Sequence, residues 1–151
     1  MERLNLYKLH TRPEALRGYD ERMFYVPELA FRQLHIWQRT LKAKERARLE
    51  ITIATDREYS VRYATEIIQR RFYIGEEAII QEPNNALHYT LNVVKGRFEL
   101  GEKVMSENSY TAYKYAKDII KGRWVQGEPA IQGNRYYNMK YKYFLKEQGL
   151  L

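Results

Sequence analysis

The chain contains no cysteine among its 151 residues. This absence excludes disulfide bonds, thiolate metal sites and a cysteine nucleophile, and it fits a reducing cytoplasm. No stretch approaches the roughly 18 apolar residues that a transmembrane helix needs. The first segment, MERLNLYKLHTRPEALRG, lacks the apolar core of a secretory signal. We therefore expect a cytoplasmic protein with no membrane partner.

Recognisable catalytic strings are also missing: HExxH, GxSxG, the P-loop and GxGxxG do not occur. The histidines His10, His35 and His88 are isolated in the sequence, and His35 and His88 are more simply explained as helix-surface residues. We expect no metal, no cofactor and no enzymatic activity. A nuclease that assembles an acid–base pair from distant residues stays open as an alternative.

Basic residues outnumber acidic residues in this chain. The chain has 26 Lys and Arg against 19 Asp and Glu, a formal net charge of +7. Hydrophobic residues make up 44% and charged residues 30%, which is typical of a soluble globular protein and not of a disordered one. The basic excess permits attraction to nucleic acid, an anionic membrane or an acidic protein, without choosing among them.

The dominant feature is a repeat of 26 residues. Three segments align without gaps: SVRYATEIIQRRFYIGEEAIIQEPNN, ALHYTLNVVKGRFELGEKVMSENSYT and AYKYAKDIIKGRWVQGEPAIQGNRYY. They share a tyrosine, an aliphatic residue four positions later, an arginine followed by an aromatic residue, and a Gly-Glu pair. In order these are Tyr63, Tyr89 and Tyr115; Ile67, Val93 and Ile119; Arg71, Arg97 and Arg123; Phe72, Phe98 and Trp124; Gly75-Glu76, Gly101-Glu102 and Gly127-Glu128. A fixed period of this length indicates an array of stacked supersecondary units.

This period predicts an all-α, short-repeat α-solenoid within a single domain, residues 1–151. Its predicted parts are an N-terminal helical cap (1–33), a degenerate repeat (34–59), three repeats (60–85, 86–111, 112–137) and a truncated C-terminal repeat (138–151). The handedness of the solenoid and the oligomeric state are not fixed by the sequence.

Each repeat predicts a first helix of about 13 residues, a turn, and a short second helix. Apolar residues follow helical spacing in the first part, and Asp56, Pro83 and Asn108 are suitable caps or first-turn residues. Glycine in the RFxxGE or RWxxGE segment is expected to break the helix. Before the repeats, Pro13 begins a predicted short helix, and Pro27 begins a long helix that runs to about residue 49.

One local alternative concerns LEITIAT, residues 49–55. Its alternating, β-branched pattern is typical of a strand. The repeat register favours a short helix instead, because Glu50 and Ile53 occupy repeat positions.

The string YAKDIIKGRWxxGEPAI resembles short tandem helical repeats of the YAxxVIKGRW type, which occur in uncharacterised proteins of large tailed bacteriophages. The resemblance covers residues 60–138 well and 34–59 poorly. It implies a phage-encoded protein that acts in the cytoplasm of an infected bacterium, and it brings no catalytic residues with it. The copies depart from the pattern at Arg70 and Thr90, and Glu45 stands where an arginine is expected.

The repeated residues are first explained by structure. The Arg and Glu on either side of each turn have the spacing of an ion pair that locks the turn, although a row of arginines could also contact phosphates. The tyrosines of the repeat, continued backward by Trp37 and forward by Tyr141, occupy core positions, although stacked aromatics could also hold unpaired bases.

The preferred binding site lies where aromatic residues depart from the repeat. Tyrosines and basic residues alternate near the C-terminus, and both types are favoured at binding hot spots. The predicted site residues are Tyr110, Tyr113, Lys114, Arg135, Tyr136, Tyr137, Lys140, Lys142, Tyr143 and Lys146. A terminal cap whose aromatics only cover the core is the structural alternative.

A secondary basic face is predicted at Arg39, Lys42, Arg46 and Arg48. It has the charge to follow phosphates, although a solvated helix face explains it equally simply. From these patterns we predict a phage-encoded protein-binding module that inhibits or modulates a host enzyme or defence system by occluding an acidic surface. An RNA- or DNA-binding protein that uses the same basic, tyrosine-rich surface is the alternative.

Overall fold

The computed structural model describes residues 21–37 and 39–151, and all regular structure within them is helical. Nine α-helices and no strand occur in this part of the chain, which confirms the all-α class. The α-helices are α1 (Pro27–Trp37), α2 (Ala43–Ile53), α3 (Arg57–Arg62), α4 (Glu76–Ile79), α5 (Pro83–Tyr89), α6 (Glu99–Ser106), α7 (Ser109–Tyr115), α8 (Glu128–Gln132) and α9 (Arg135–Glu147). Short 3₁₀ helices cover Glu21–Phe24, Tyr73–Gly75 and Val125–Gly127. The short helix predicted from Pro13, and His10, lie outside the described residues.

The chain divides into two compact units, Met1–Ala78 and Ile79–Leu151. In the first, α1 packs against α2, and the buried side chains include Phe31, Leu34, Trp37, Ile53 and Tyr63. In the second, α5 packs against α6, and α7 packs against α8 and α9. Its core includes Leu87, Met105, Tyr115, Trp124, Ile131, Tyr141 and Phe144. Along the described residues, no helix has the length and apolar content that crossing a bilayer requires.

The long helix predicted from Pro27 to about residue 49 is wrong. Helix α1 ends at Trp37, whose carbonyl accepts from the amides of Thr40 (2.9 Å) and Leu41 (3.1 Å). A second helix begins only after Lys42, whose backbone is extended and whose amide donates to the Glu45 carboxylate at 3.4 Å. Glu45 therefore starts a new helix instead of continuing the old one, which explains why it departs from the repeat pattern.

The segment LEITIAT is helical as far as Ile53, since α2 runs without interruption from Ala43 to that residue. The strand alternative for residues 49–55 is therefore excluded, and the helical interpretation is confirmed.

The first helix of each repeat has the predicted position and length. Its α-helical part, in α3, α5 and α7, continues into a π-helical segment: Tyr63–Ile68, Thr90–Val94 and Ala116–Ile120 respectively. The predicted caps are confirmed: Asp56 and Asn108 each accept two backbone amides, and Pro83 stands in the first turn of α5. The N-cap itself is Glu82, whose carboxylate accepts from the Asn85 amide at 2.7 Å.

The π segments and their ends were not foreseen. Each segment ends at a non-glycine residue in the left-handed region, namely Gln69 (φ 50°), Lys95 (φ 54°) and Lys121 (φ 56°). In two of the copies the residue after it is a glycine, Gly96 or Gly122, so the left-handed position lies one residue before the glycine. The widened last turn of the π segment accounts for this placement.

The RFxxGE or RWxxGE segment separates the two helices of each copy, as predicted, but the glycine of its Gly-Glu pair is not the residue at which the first helix ends. Gly101 lies inside α6, and a Cβ built on it would lie 2.6 Å from Cδ1 of Phe98. The same overlap arises at Gly75 with Phe72 (2.4 Å) and at Gly127 with Trp124 (2.5 Å). Glycine is present in all three copies because the aromatic ring three residues earlier occupies the space of a side chain.

Candidate binding surface

The repeated arginine and glutamate form the turn-locking pair that the sequence predicts. Nε and Nη2 of Arg97 donate to the two carboxylate oxygens of Glu102 at 2.9 and 3.0 Å. The Arg71–Glu76 pair (2.8 and 2.8 Å) and the Arg123–Glu128 pair (3.0 and 2.9 Å) have the same geometry. Bidentate pairs of this kind fix the orientation of a guanidinium. The hydrogen bond from Arg123 also lowers the pKa of Glu128.

A tyrosine completes this arrangement in the second unit. The Tyr115 hydroxyl donates to Oε1 of Glu102 (2.7 Å) and accepts from the backbone amide of Phe98 (3.1 Å). Tyr141 makes the same two bonds, to Glu128 (3.2 Å) and from the Trp124 amide (2.9 Å). In the first unit, Tyr63 donates to Glu50 at 2.5 Å. These hydroxyls therefore satisfy buried polar groups.

The prediction that these tyrosines belong to the core is confirmed. Tyr63, Tyr89, Tyr115 and Tyr141 are buried, as is Trp37. Edge or tilted contacts join each to an aromatic ring of the same unit, for example Tyr115 to Trp124 with centroids 4.7 Å apart. The aliphatic residues four positions later, Ile67, Val93 and Ile119, are only half-buried. No ring in this set is open to a base.

These buried hydroxyls predict a loss of stability at alkaline pH. Burial, and then the hydrogen bond to Glu102, raises the pKa of Tyr115 to about 12. Burial also raises the pKa of Tyr63 and Tyr141. The folded protein holds these protons more tightly than the unfolded chain does. The protonated hydroxyls therefore make their full contribution to the free energy of unfolding below the ordinary tyrosine pKa of 10.0, and this contribution is lost as the pH rises through about 12.

We therefore expect the thermal midpoint, followed by circular dichroism, to fall as the pH rises from about 10 to about 12. Tyr115→Phe should have a lower midpoint at neutral pH and a shallower alkaline decline, because it has no proton to lose at this position. A midpoint that is constant over this range in the wild-type protein would contradict the assignment.

The structure brings the predicted C-terminal tyrosines together. Ring centroids of Tyr137 lie 5.8 Å from Tyr110, 5.9 Å from Tyr113 and 5.0 Å from Tyr136. Tyr113 is buried and Tyr137 is half-buried, so the side chains of these two residues mainly pack between α7 and α9. Tyr110 and Tyr136 remain exposed at the edge of the cluster.

One side of α9 is open to solvent and aromatic. Tyr136, Lys140 and Tyr143 follow each other at helical spacing, with Tyr136 53% and Tyr143 65% exposed. We call these three residues the α9 face. Nζ of Lys140 lies 4.5 Å from the Tyr136 ring centroid, and Glu147 beside Tyr143 raises the pKa of that hydroxyl. Helix α9 carries four basic residues against this one carboxylate.

The remaining predicted site residues lie outside the three-residue α9 face. Lys114 is paired with Asp118 at 2.5 Å. Arg135 is exposed on α9 but does not follow the spacing of that face, whereas Lys146 is exposed three residues after Tyr143 and lies next to it. Lys142 lines a cavity of about 150 Å³ together with Arg123, Asn138 and Leu150.

This cavity shows how the last repeat differs from the one before it. Asn138 and Lys142 lie 26 residues after Ala112 and Ala116, which are both fully buried in the core of the second unit. The last repeat therefore has polar side chains where the repeat before it has buried alanines. Lys142 lines this cavity and does not belong to the α9 face.

The secondary basic face is not one surface. Arg39 lies in the turn after α1, Lys42 is the N-cap of α2, and Arg46 is half-buried. The guanidinium of Arg48 covers the Phe24 ring, with Cζ 3.8 Å from the centroid. Arg48 is thus occupied by packing within the first unit.

The described residues form no candidate metal site. Among residues 21–37 and 39–151, no three His, Asp or Glu side chains are grouped so that they could hold a metal ion. The first unit has a shallow cavity of about 260 Å³ beside Phe31, His35 and Arg62, whose guanidinium is bound to Glu66 and covers the Phe31 ring.

Comparisons with protein-family models, curated proteins and solved structures give no match.

Proposed function

We propose that the protein is a non-enzymatic protein-binding module, built as a short-repeat α-solenoid, whose α9 face covers an acidic surface of its partner. The observation that carries the proposal is the exposure of Tyr136 and Tyr143 on either side of Lys140. Tyrosine buries a large area at small entropic cost, which is why it is enriched at interaction hot spots. The resemblance to phage repeats makes a host enzyme or defence protein in the bacterial cytoplasm the expected target, and occlusion the expected mechanism.

The rest of the scaffold supports this function by being already ordered. The Arg–Glu–Tyr connections at Glu102 and Glu128 hold turns and helices of the second unit together before any partner binds. A preorganised surface loses little conformational entropy on binding, so more of the contact energy contributes to affinity.

Ring geometry favours a protein partner over a nucleic acid on this face. Base stacking needs open ring faces. Tyr137 contacts the rings of both Tyr110 and Tyr113, and Lys140 covers a face of Tyr136. Tyr143 alone leaves too little aromatic surface to hold a run of bases.

The proposal predicts that Tyr136→Ala with Tyr143→Ala weakens partner binding by at least about 10-fold, because truncating a hot-spot residue costs about 2 kcal/mol or more and about 1.4 kcal/mol is already tenfold. Tagged wild-type and variant proteins would be used to capture partners from bacterial lysate, and the affinity for the captured protein would then be measured. Tyr25→Ala is the matched control, since Tyr25 is 74% exposed in the first unit. Equal capture by wild type, control and double variant would contradict the proposal.

A further inference from the structure

Two turns of the second unit present the same pair of cations. They are Lys95-Gly96-Arg97 and Lys121-Gly122-Arg123, each directly after a π segment, and we call them the KGR turns. The side chains of Lys95 and Lys121 are exposed, and neither makes an ion pair within the described part of the chain.

The lysine of each KGR turn has a backbone conformation that disfavours a side chain. Lys95 and Lys121 have φ values of 54° and 56°, in the left-handed region where Cβ crowds the carbonyl oxygen. Glycine would adopt this conformation without strain, and a glycine is the very next residue in both turns. Gln69 has the same conformation after the π segment of the first copy, so the positive charge is what distinguishes Lys95 and Lys121.

The arginine of each KGR turn is held in a fixed orientation while remaining accessible. Glu102 occupies Nε and Nη2 of Arg97, and Glu128 occupies those of Arg123, so Nη1 lies outside both pairs. The arginine side chains are nonetheless 59% and 56% exposed. Since the carboxylate is already bound, the outward edge of each guanidinium is available to a second anion.

We propose that the KGR turns contact phosphates of a nucleic-acid backbone without reading its sequence. Phosphate accepts hydrogen bonds from both lysine and arginine, and two identical cation pairs 26 residues apart fit a ligand that repeats its charge better than they fit a single anion. This site is separate from the α9 face and does not depend on the proposed protein partner.

The test compares two variants of equal charge. Lys95→Gly with Lys121→Gly removes the cations from the turns, and Lys103→Ala with Lys117→Ala removes two exposed lysines of the same unit outside them. Labelled single-stranded and duplex DNA of about 20 nucleotides would be titrated by fluorescence anisotropy at salt concentrations between about 50 and 200 mM, where phosphate contacts weaken most visibly. Thermal melts of both variants accompany the titrations.

For the turn variant we expect weaker binding, with the slope of log K against log salt reduced by about 1.4 for the single strand and about 1.8 for the duplex. Its melting midpoint should rise, because glycine relieves the left-handed strain. The control variant should bind more tightly than the turn variant. The Tyr136→Ala, Tyr143→Ala protein should bind DNA like the wild type.

Two results would overturn the proposal. They are the absence of wild-type binding to DNA at about 50 mM salt and an equal loss of affinity in the two lysine variants. A lower melting midpoint in the turn variant would also count against it, because the lysines would then act only by complementing the helix C-termini.

Discussion

Replacing Gly101 with alanine is expected to destabilise the protein by about 1–3 kcal/mol. The new Cβ would lie 2.6 Å from Cδ1 and 2.8 Å from Cε1 of Phe98, well inside contact distance. Phe98 cannot move aside freely, since only 1% of it is exposed. The sign of the change in the free energy of unfolding is informative, because replacing glycine with alanine inside a helix ordinarily stabilises a protein by about 0.5–1 kcal/mol. The measurement is denaturant unfolding of wild type and variant.

Gly133→Ala is the matched control. Gly133 has ordinary helical backbone angles, and its Cβ would lie no closer than 3.5 Å to the carbonyl oxygens of Pro129 and Ala130. We expect this variant to be neutral or more stable. If Gly101→Ala is as stable as Gly133→Ala, the ring of Phe98 is not what requires glycine at position 101.

Replacing Glu102 with alanine is expected to cost about 2–3 kcal/mol, since hydrogen bonds to a charged group are among the stronger ones in proteins. The buried carboxylate accepts from two nitrogens of Arg97 and from the hydroxyl of Tyr115. Its loss leaves that hydroxyl, which is fully buried, without this acceptor. Arg97→Ala should cost less, because more than half of the arginine side chain is in solvent.

Glu107→Ala is the control, because it removes the same charge from an exposed position at the end of α6. Exposed substitutions of this kind usually change stability by no more than about 0.5 kcal/mol. Equal unfolding free energies for the Glu102 and Glu107 variants would show that the Arg–Glu–Tyr arrangement contributes nothing to the fold.

The sequence was sufficient for the features that repeat. Period and spacing predicted the helical class, the first helix of each copy, the Arg97–Glu102 type of pair and the burial of Tyr115. Each of these depends on local spacing, and three aligned copies distinguish a required position from a variable one.

Other features could not be read from spacing. A π turn differs from an α turn by a single widened hydrogen bond, so nothing in the residue pattern marks it. Glycine is the residue that most often adopts the left-handed conformation, so residue type does not mark Lys95 and Lys121, where that conformation lies. The break between α1 and α2 was missed because Lys42 is not a usual N-cap residue.

The candidate site was predicted only in part. Sequence proximity grouped Lys114, Lys142 and the tyrosines together, but a helix distributes neighbouring residues around its axis. In the structure Tyr113 and Tyr137 pack between helices, and Lys142 lines a cavity with Arg123. Of the predicted residues, Tyr136, Lys140, Tyr143 and Lys146 follow one open side of α9, which is information that the helical register supplies and composition does not.

Site-specific photo-cross-linking tests the account most directly. A photoreactive phenylalanine derivative would replace Tyr143 in one protein and Tyr25 in another, and both would be irradiated in bacterial lysate. The account predicts a discrete protein adduct from position 143 that is absent from position 25 and is lost when Tyr136 is changed to alanine. The same products from both positions, or adducts with nucleic acid alone from position 143, would contradict it.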